Sequence, residues 1–369
     1  MQKPIINVWR VIGKACLVLL IINFAFPLLS FLHFPTVSLY NHLYPGRQRL
    51  PFGENPSLSY NLTLNDIDAM LASHVVANSD PGAGYSIFVI GDSSIWGTLL
   101  ENRDTVPAQL QNAVNAGKQT NAPVRVYNLG YPTSSVLKDL VLLDEAMQYQ
   151  PDMVIWFVTL NSLIKNSYQE APIVLNNPEK TNAVIERYGL DTELLPERTY
   201  WEKTFLEQRR DIYDRIRLQI LGSMWAATGI DQYIPEEYTP ATRDLETDDS
   251  YQYLEGHTLS ENDLDLSVIT SFIAQNPSVR VIVVNEPILI SSGANSDLRY
   301  DLYYPRWTYD TYRALISAKF EEMEIQYIDL WDVVPETLFT NSAIHYDAQG
   351  VDIVTEKLYS FIMKDIEEP

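Results

Sequence analysis

The sequence predicts an α/β three-layer sandwich on a mainly parallel sheet, with an N-terminal transmembrane helix and a helical insertion. Three observations predict it. From residue 85 onward, short apolar runs alternate with stretches of helical periodicity, the pattern of strands buried on both faces and joined by crossover helices. One uncharged, apolar segment stands near the N-terminus. The alternation also stops for about ninety residues in mid-chain, far longer than an ordinary connection in a compact domain.

The apolar segment covers residues 15–32 and follows Lys3, Arg10 and Lys14, so it is just long enough to cross a bilayer. No convincing small-x-small cleavage site follows it, so an uncleaved signal anchor is expected within residues 1–40, with a cleaved signal peptide as the competing reading. The positive flank places the N-terminus in the cytoplasm and everything after Tyr40 outside. Pro35, Pro45, Pro51 and Pro56 then punctuate a loop-rich stalk over residues 41–84, with one expected helix at 64–76. Asn61-Leu62-Thr63 within it matches a glycosylation sequon and is read as chance.

The main domain is expected over residues 85–369. Its first strand covers 85–90. Val106, Leu110 and Val114 mark a helix, 124–127 a second strand, Val136, Leu137, Leu140, Val141 and Met147 another helix, and 153–158 a third strand. The insertion follows at 163–257, where Phe205, Ile212, Ile216 and Ile220 line one face of a long helix and 244–249 form a solvated acidic loop. It leaves and re-enters the sheet beside Asn161, so it is expected to cap the crevice there. A helix at 264–274, strands at 279–284 and 326–329, a helix at 309–323 and a terminal helix from about Gly350 complete the domain.

The formal charge of −22 repels phosphate backbones, and no basic stripe offsets it, so nucleic acid is not an expected partner. Cys16 is the one cysteine and lies in the apolar segment, which removes disulfides and cysteine metal sites. His33, His42, His74 and His257 lack ligand-like spacing; no metal or cofactor is expected. Tyr303, Tyr304, Trp307 and Tyr309 cluster before a helix. They read first as core or rim packing and second as the wall of a carbohydrate site.

Gly91-Asp92-Ser93-Ser94-Ile95-Trp96-Gly97 stands where the first strand ends and a helix begins. Glycine permits a sharp turn there, and the serine oxygen is presented at the carboxyl end of the sheet beside amide N–H groups able to face an oxyanion. A serine nucleophile also needs a base and further oxyanion donors. Gly130 follows the second strand, Asn161 follows the third, and His345 precedes the last helix, so all face one crevice.

With these residues in this order, residues 85–363 resemble the SGNH hydrolase superfamily of GDSL-like serine esterases and acyltransferases. The resemblance implies Ser93 as nucleophile, Gly97 as the closing glycine of the first block, and His345, within Ile344-His345-Tyr346-Asp347-Ala348-Gln349-Gly350, as base. It implies an oxyanion hole of the Ser93 and Gly130 amides and the Asn161 side chain. Two positions depart from the family. Thr159-Leu160-Asn161-Ser162 stands for the usual Gly-x-Asn-Asp, and Ser342 occupies the place of the triad aspartate. Ser342 or a backbone carbonyl is therefore expected to orient the imidazole, with Asp347 and Glu286 as weaker candidates. The resemblance implies a flavodoxin-like sheet and an esterase or O-acyltransferase outside a membrane. Its substrate is expected to be an acyl ester, on a cell-envelope polysaccharide in one version, with a membrane acyl donor as partner in the transferase version. The alternative from another class is a non-catalytic binding or assembly protein of the cell envelope that keeps the fold.

Overall fold

The computed structural model describes residues 7–29, 43, 65–80, 84–117, 123–165, 171–230, 233–254 and 258–367. Helix α1 (Val8–Ala25) is capped by the Asn7 side chain, which accepts from the Arg10 N–H at 3.2 Å, and runs on as a 3₁₀ turn to Leu29. It starts earlier than the apolar run suggested, so Arg10 and Lys14 lie within its first two turns. Their long aliphatic stems let the charges reach out while the helix continues. The span Val8–Leu28 has a mean hydropathy of 2.2 and is almost uncovered by the rest of the chain, unlike a core helix. By length and composition it is able to cross a membrane. Most of the stalk, the sequon included, lies outside the described residues; its helix α2 (Ile67–Ser73) continues as a 3₁₀ turn at Val75–Asn78.

The domain then alternates as expected: β1 (Tyr85–Ile90), α3 (Ser93–Trp96), α4 (Val106–Ala116), β2 (Val124–Asn128), α5 (Val136–Ala146), β3 (Met153–Val158) and α6 (Leu160–Leu163). The insertion carries α7 (Pro172–Asn176), α8 (Pro178–Tyr188) and α9 (Arg209–Thr228). After it come α10 (Leu266–Gln275), β4 (Arg280–Asn285), α11 (Arg306–Glu322), β5 (Gln326–Asp329), a hairpin of β6 (Phe339–Ser342) and β7 (His345–Tyr346), and α12 (Ala348–Glu367).

The five long strands are all parallel, in the order β2-β1-β3-β4-β5. Successive side chains on a strand face opposite ways, and here both faces are covered. Phe88, Ile90, Val154, Trp156 and Val283 pack with α5, α8, α10 and α11. Ile87, Val89, Ile155, Phe157, Ile282 and Val284 pack with α4 and α12. Those are the three layers. Strand order reverses between β1 and β3, where doubly wound sheets open a crevice at their carboxyl edge.

The insertion is pinned at its neck. Asp265 N donates to Leu163 O at 2.7 Å and Lys165 N to Asp263 O at 2.9 Å, so the detour closes where it began. Its first part leaves the crevice, with α7 and α8 packing on α5. Its return runs across the carboxyl edge: Ala241 N donates to Thr340 O, Leu245 N to Ala294 O, and Gln252 Nε2 lies 3.3 Å from Asn161 Oδ1. Of this return, Gln252 stands beside Asn161 at the crevice, and residues 200–206, which lead into α9, meet the end of α1 instead.

Candidate active site

Local chemistry bends the chain sharply after β1. A Cβ on Gly91 would come within 2.9 Å of both Phe157 Cβ and Ile95 Cγ1, so only glycine lets the turn close onto the sheet. Asp92 then caps α3, its Oδ1 accepting from Ser94 N at 2.8 Å and its Oδ2 from Ser134 Oγ at 2.6 Å. Gly97 ends the turn at φ +96, a left-handed conformation that favours glycine. Ser93 is thus the first residue of α3, where a helix leaves the N–H without an internal acceptor.

Ser93 Oγ lies 2.7 Å from His345 Nε2. With the serine donating, the imidazole carries its proton on Nδ1, which lies 2.8 Å from Asn341 Oδ1. The residue bonded to the histidine is therefore Asn341, and not Ser342, whose hydroxyl faces the Tyr303 hydroxyl at 3.5 Å. The reason is the β6–β7 hairpin. Ser342 pairs with His345 across the ladder, while Asn341, one residue back with an irregular register, reaches the far ring nitrogen. Asp347 and Glu286 are spent elsewhere. Asp347 Oδ1 caps α12, accepting from Gln349 N and Gly350 N at 3.0 Å each. Glu286, after β4, accepts from Ser94 Oγ at 2.5 Å. Burial pushes its carboxyl well above the usual range, and the neighbouring Asp92 carboxylate adds to this.

Burial lowers the His345 pKa below the ordinary 6.5, with Asp92 pulling weakly the other way, so the ring is held neutral and ready to take a proton. His345, Ser93, Asn161, Thr133, Ser134, Tyr303, Tyr304, Ser342 and Ile344 line one cavity of about 190 Å³. Asn161 is seated by a capping box: Thr159 Oγ1 accepts the Asn161 N–H at 3.1 Å and Ser162 Oγ the Thr159 N–H at 2.9 Å. This pairing uses Thr159 and Ser162, the two side chains that differ from a Gly-x-Asn-Asp pattern. The Tyr304 hydroxyl bonds Thr159 Oγ1 and lies 3.4 Å from the Asn161 N–H, which makes that tyrosine a brace for the asparagine.

Gly130 is placed differently from the expectation. Its N–H donates to Asn128 Oδ1 at 2.9 Å, and a Cβ there would stand 2.4 Å from Trp96 N. It is the point where the second loop presses on α3, and it does not line the cavity. Thr133 does. Its φ of +95 costs a β-branched residue about 1–3 kcal/mol, strain that is found at positions the surroundings over-determine. Among the described residues its N–H has no acceptor. No glycine marked this position, so sequence reasoning passed over it; Asn341 was hidden because residues 339–346 carry no strand-like run.

Below both loops lies a buried cation. Lys138 Nζ, fully inaccessible, donates to Gly91 O and Tyr131 O at 2.8 Å each and pairs with Asp139 Oδ1 at 2.6 Å. Asp139 Oδ2 accepts from Trp156 Nε1 at 3.0 Å. Burial raises the Asp139 pKa and Lys138 opposes it. One ammonium thus ties the turn that carries Ser93 to the loop that carries Thr133. His74, by contrast, is a core residue: Nε2 bonds Asn128 O at 2.9 Å, Nδ1 accepts from Val76 N, and burial lowers its pKa to about 4.

No family model and no curated protein matches the chain. Among solved structures it is similar to a carbohydrate acetylesterase family member from Sinorhizobium meliloti, with 12% identity over 75% of this chain and 97% of that one and a TM-score of 0.35. An acetylxylan esterase from Geobacillus stearothermophilus shows 13% identity over 76% and 94%, with a TM-score of 0.37. A member of the lipolytic G-D-S-L family from Veillonella parvula shows 9% identity over 75% and 97%, with a TM-score of 0.33. Likenesses this remote transfer no residue role and no activity, and the site stands on its own geometry.

Proposed function

We propose that this chain is a serine esterase or O-acyltransferase anchored by α1 at the outer face of a membrane. One observation carries the reading: the continuous chain of hydrogen bonds from Asn341 Oδ1 through His345 to Ser93 Oγ, on the wall of a small cavity. Ser93 Oγ attacks the acyl carbon while His345 Nε2 takes its proton, and the carbonyl electrons move onto oxygen. The Ser93 N–H, the Asn161 side-chain amide and the Thr133 N–H, in the place expected of Gly130, stabilise that oxyanion. Collapse expels the alcohol, which regains a proton from His345. Water or a sugar hydroxyl, deprotonated by the same imidazole, then releases the acyl group. The cavity is smaller than the roughly 300–1,000 Å³ of sites for drug-sized ligands, which suits a short acyl group. The exposed Tyr303 on its rim and the membrane anchor suit an envelope glycan as the alcohol.

A fluorophosphonate probe tests the assignment, because it bonds only to an activated serine. Labelling of the native full-length protein is expected on the peptide that contains Ser93. A folded protein that takes up no label is a binding module and not an enzyme.

The pH profile tests the part played by Asn341. Because His345 sits below 6.5, the free-enzyme rate constant kcat/KM is expected to hold as pH falls and to drop only below that value. In Asn341→Asp a carboxylate beside Nδ1 favours the imidazolium, so the acid limb moves up by about one unit or more. Turnover on the plateau is expected to rise about tenfold or more, since removing the carboxylate from such a triad costs a serine protease about 10⁴. An unchanged limb in that variant means Asn341 does not orient the base.

A further inference from the structure

The end of α1 is held by the insertion. Asn23 is the buried residue of that helix, and its Oδ1 accepts from Leu206 N at 2.8 Å. The Tyr200 hydroxyl donates to Phe24 O. Phe24 meets Trp201 edge to face at 5.4 Å, and Phe26 meets Phe205 at 5.6 Å. These contacts fall on the last turn of the span, where hydrocarbon gives way to headgroups, the level that tryptophan and tyrosine favour in membranes. Trp201 is 65% exposed there.

Helix α9 begins three residues after Leu206. Tyr213, Ile216, Ile220 and Met224, at spacings of three and four, stand on one face and are 57–62% exposed. A stripe of this kind left open to water is rare in soluble chains. The helix also carries four arginines against two aspartates, a net +2 in a chain of −22. Arg217 lies 6.0 Å from the Tyr213 ring centroid, at the margin of the stripe. An exposed apolar stripe with an arginine at its margin, close to the end of a membrane span, suits a helix that lies in a lipid interface.

We propose that α9 is a membrane-surface helix, with the Tyr213-Ile216-Ile220-Met224 stripe sunk between lipid headgroups and Arg217 at its margin within reach of their phosphates. The proposal rests on α1 spanning the bilayer. With two points of attachment the domain no longer swings freely about its anchor. The same insertion brings Gln252 within 3.3 Å of Asn161 Oδ1, so the lipid surface and the site are joined through one segment.

Bromolipid quenching of the full-length chain tests this. Native Cys16, on the exposed surface of α1, carries one fluorophore and reports the anchor. Ile220→Cys and Glu356→Cys, each in a Cys16→Ala background, report α9 and a remote surface. The vesicles are phosphatidylcholine with about one third phosphatidylglycerol, which supplies the anionic headgroups. Deep bromines are expected to quench Cys16. Shallow bromines are expected to lower emission at Ile220→Cys about twofold or more, as placement 5–10 Å into the interface requires, and to leave Glu356→Cys unchanged. Quenching at Cys16 with none at Ile220→Cys overturns the proposal and keeps the anchor; if the same Ile220→Cys protein, carrying a photoreactive thiol crosslinker, then joins a second copy or another protein, the stripe is a protein interface. No quenching at Cys16 removes the anchor reading, and the proposal falls with it.

Discussion

Ser93→Ala and His345→Ala are each expected to lower ester turnover by about 10⁴–10⁶-fold, with the double variant little worse than either alone. The non-additivity follows from the 2.7 Å bond between them: without the base the hydroxyl is not a nucleophile at neutral pH, and without the hydroxyl the base has nothing to activate. The residual rate comes from the cavity and its oxyanion donors. Both side chains stand on the wall of an open cavity and not in the core, so unfolding free energies from urea titration are expected within about 0.5 kcal/mol of the parent, as for substitutions outside packed features. Initial rates on a short-chain chromogenic ester with the detergent-purified chain decide it. Wild-type turnover by the Ser93→Ala protein on every ester tried ends the assignment.

Lys138→Met is expected to destabilise the folded domain by about 3–5 kcal/mol, since it leaves Asp139 without its cation in a fully buried place. Two loop carbonyls, Gly91 O and Tyr131 O, lose their donor at the same time. Lys138→Met combined with Asp139→Leu is expected to recover much of that loss, because replacing both charges by apolar groups removes the unpaired carboxylate. It does not return the tie between the two loops, so turnover stays low in the double variant while stability recovers. Urea denaturation and kinetics on the two proteins separate these effects. A single variant that unfolds at the parental urea concentration shows that the pair holds nothing.

The five parallel strands and their crossover helices were legible in order, and three of the strands to the residue, because each is a short apolar run between turn signals. Burial on both faces of a parallel sheet demands such runs, and one-dimensional pattern suffices to see them. Ser93 and Asn161 were locatable for a related reason: each follows a strand at the carboxyl edge, where the sheet brings those ends together, while His345 lies in the β6–β7 hairpin and showed through the motif around it. The span near the N-terminus was also visible, though its helix begins at Val8 because helix propagation runs through Arg10 and Lys14.

The groups whose work depends on loop geometry needed the folded chain. Gly130 and Thr133 are three residues apart, and only the contact of Gly130 with the backbone of α3 shows which of them packs and which faces the cavity. Asn341 and Ser342 are neighbours, and a ladder register decides which reaches His345 Nδ1. The insertion showed its length in the sequence but not its course, which is set by contacts as distant as Asn23 with Leu206 and Gln252 with Asn161. The sequence by itself determined the layers, the sheet and the candidate positions of Ser93 and His345, since apolar periodicity and strand ends are local properties of the chain. Tertiary structure alone decided what bonds His345 Nδ1, which loop residue lines the cavity and where the insertion runs, because hydrogen-bond direction and long-range packing follow from the positions of residues far apart in sequence.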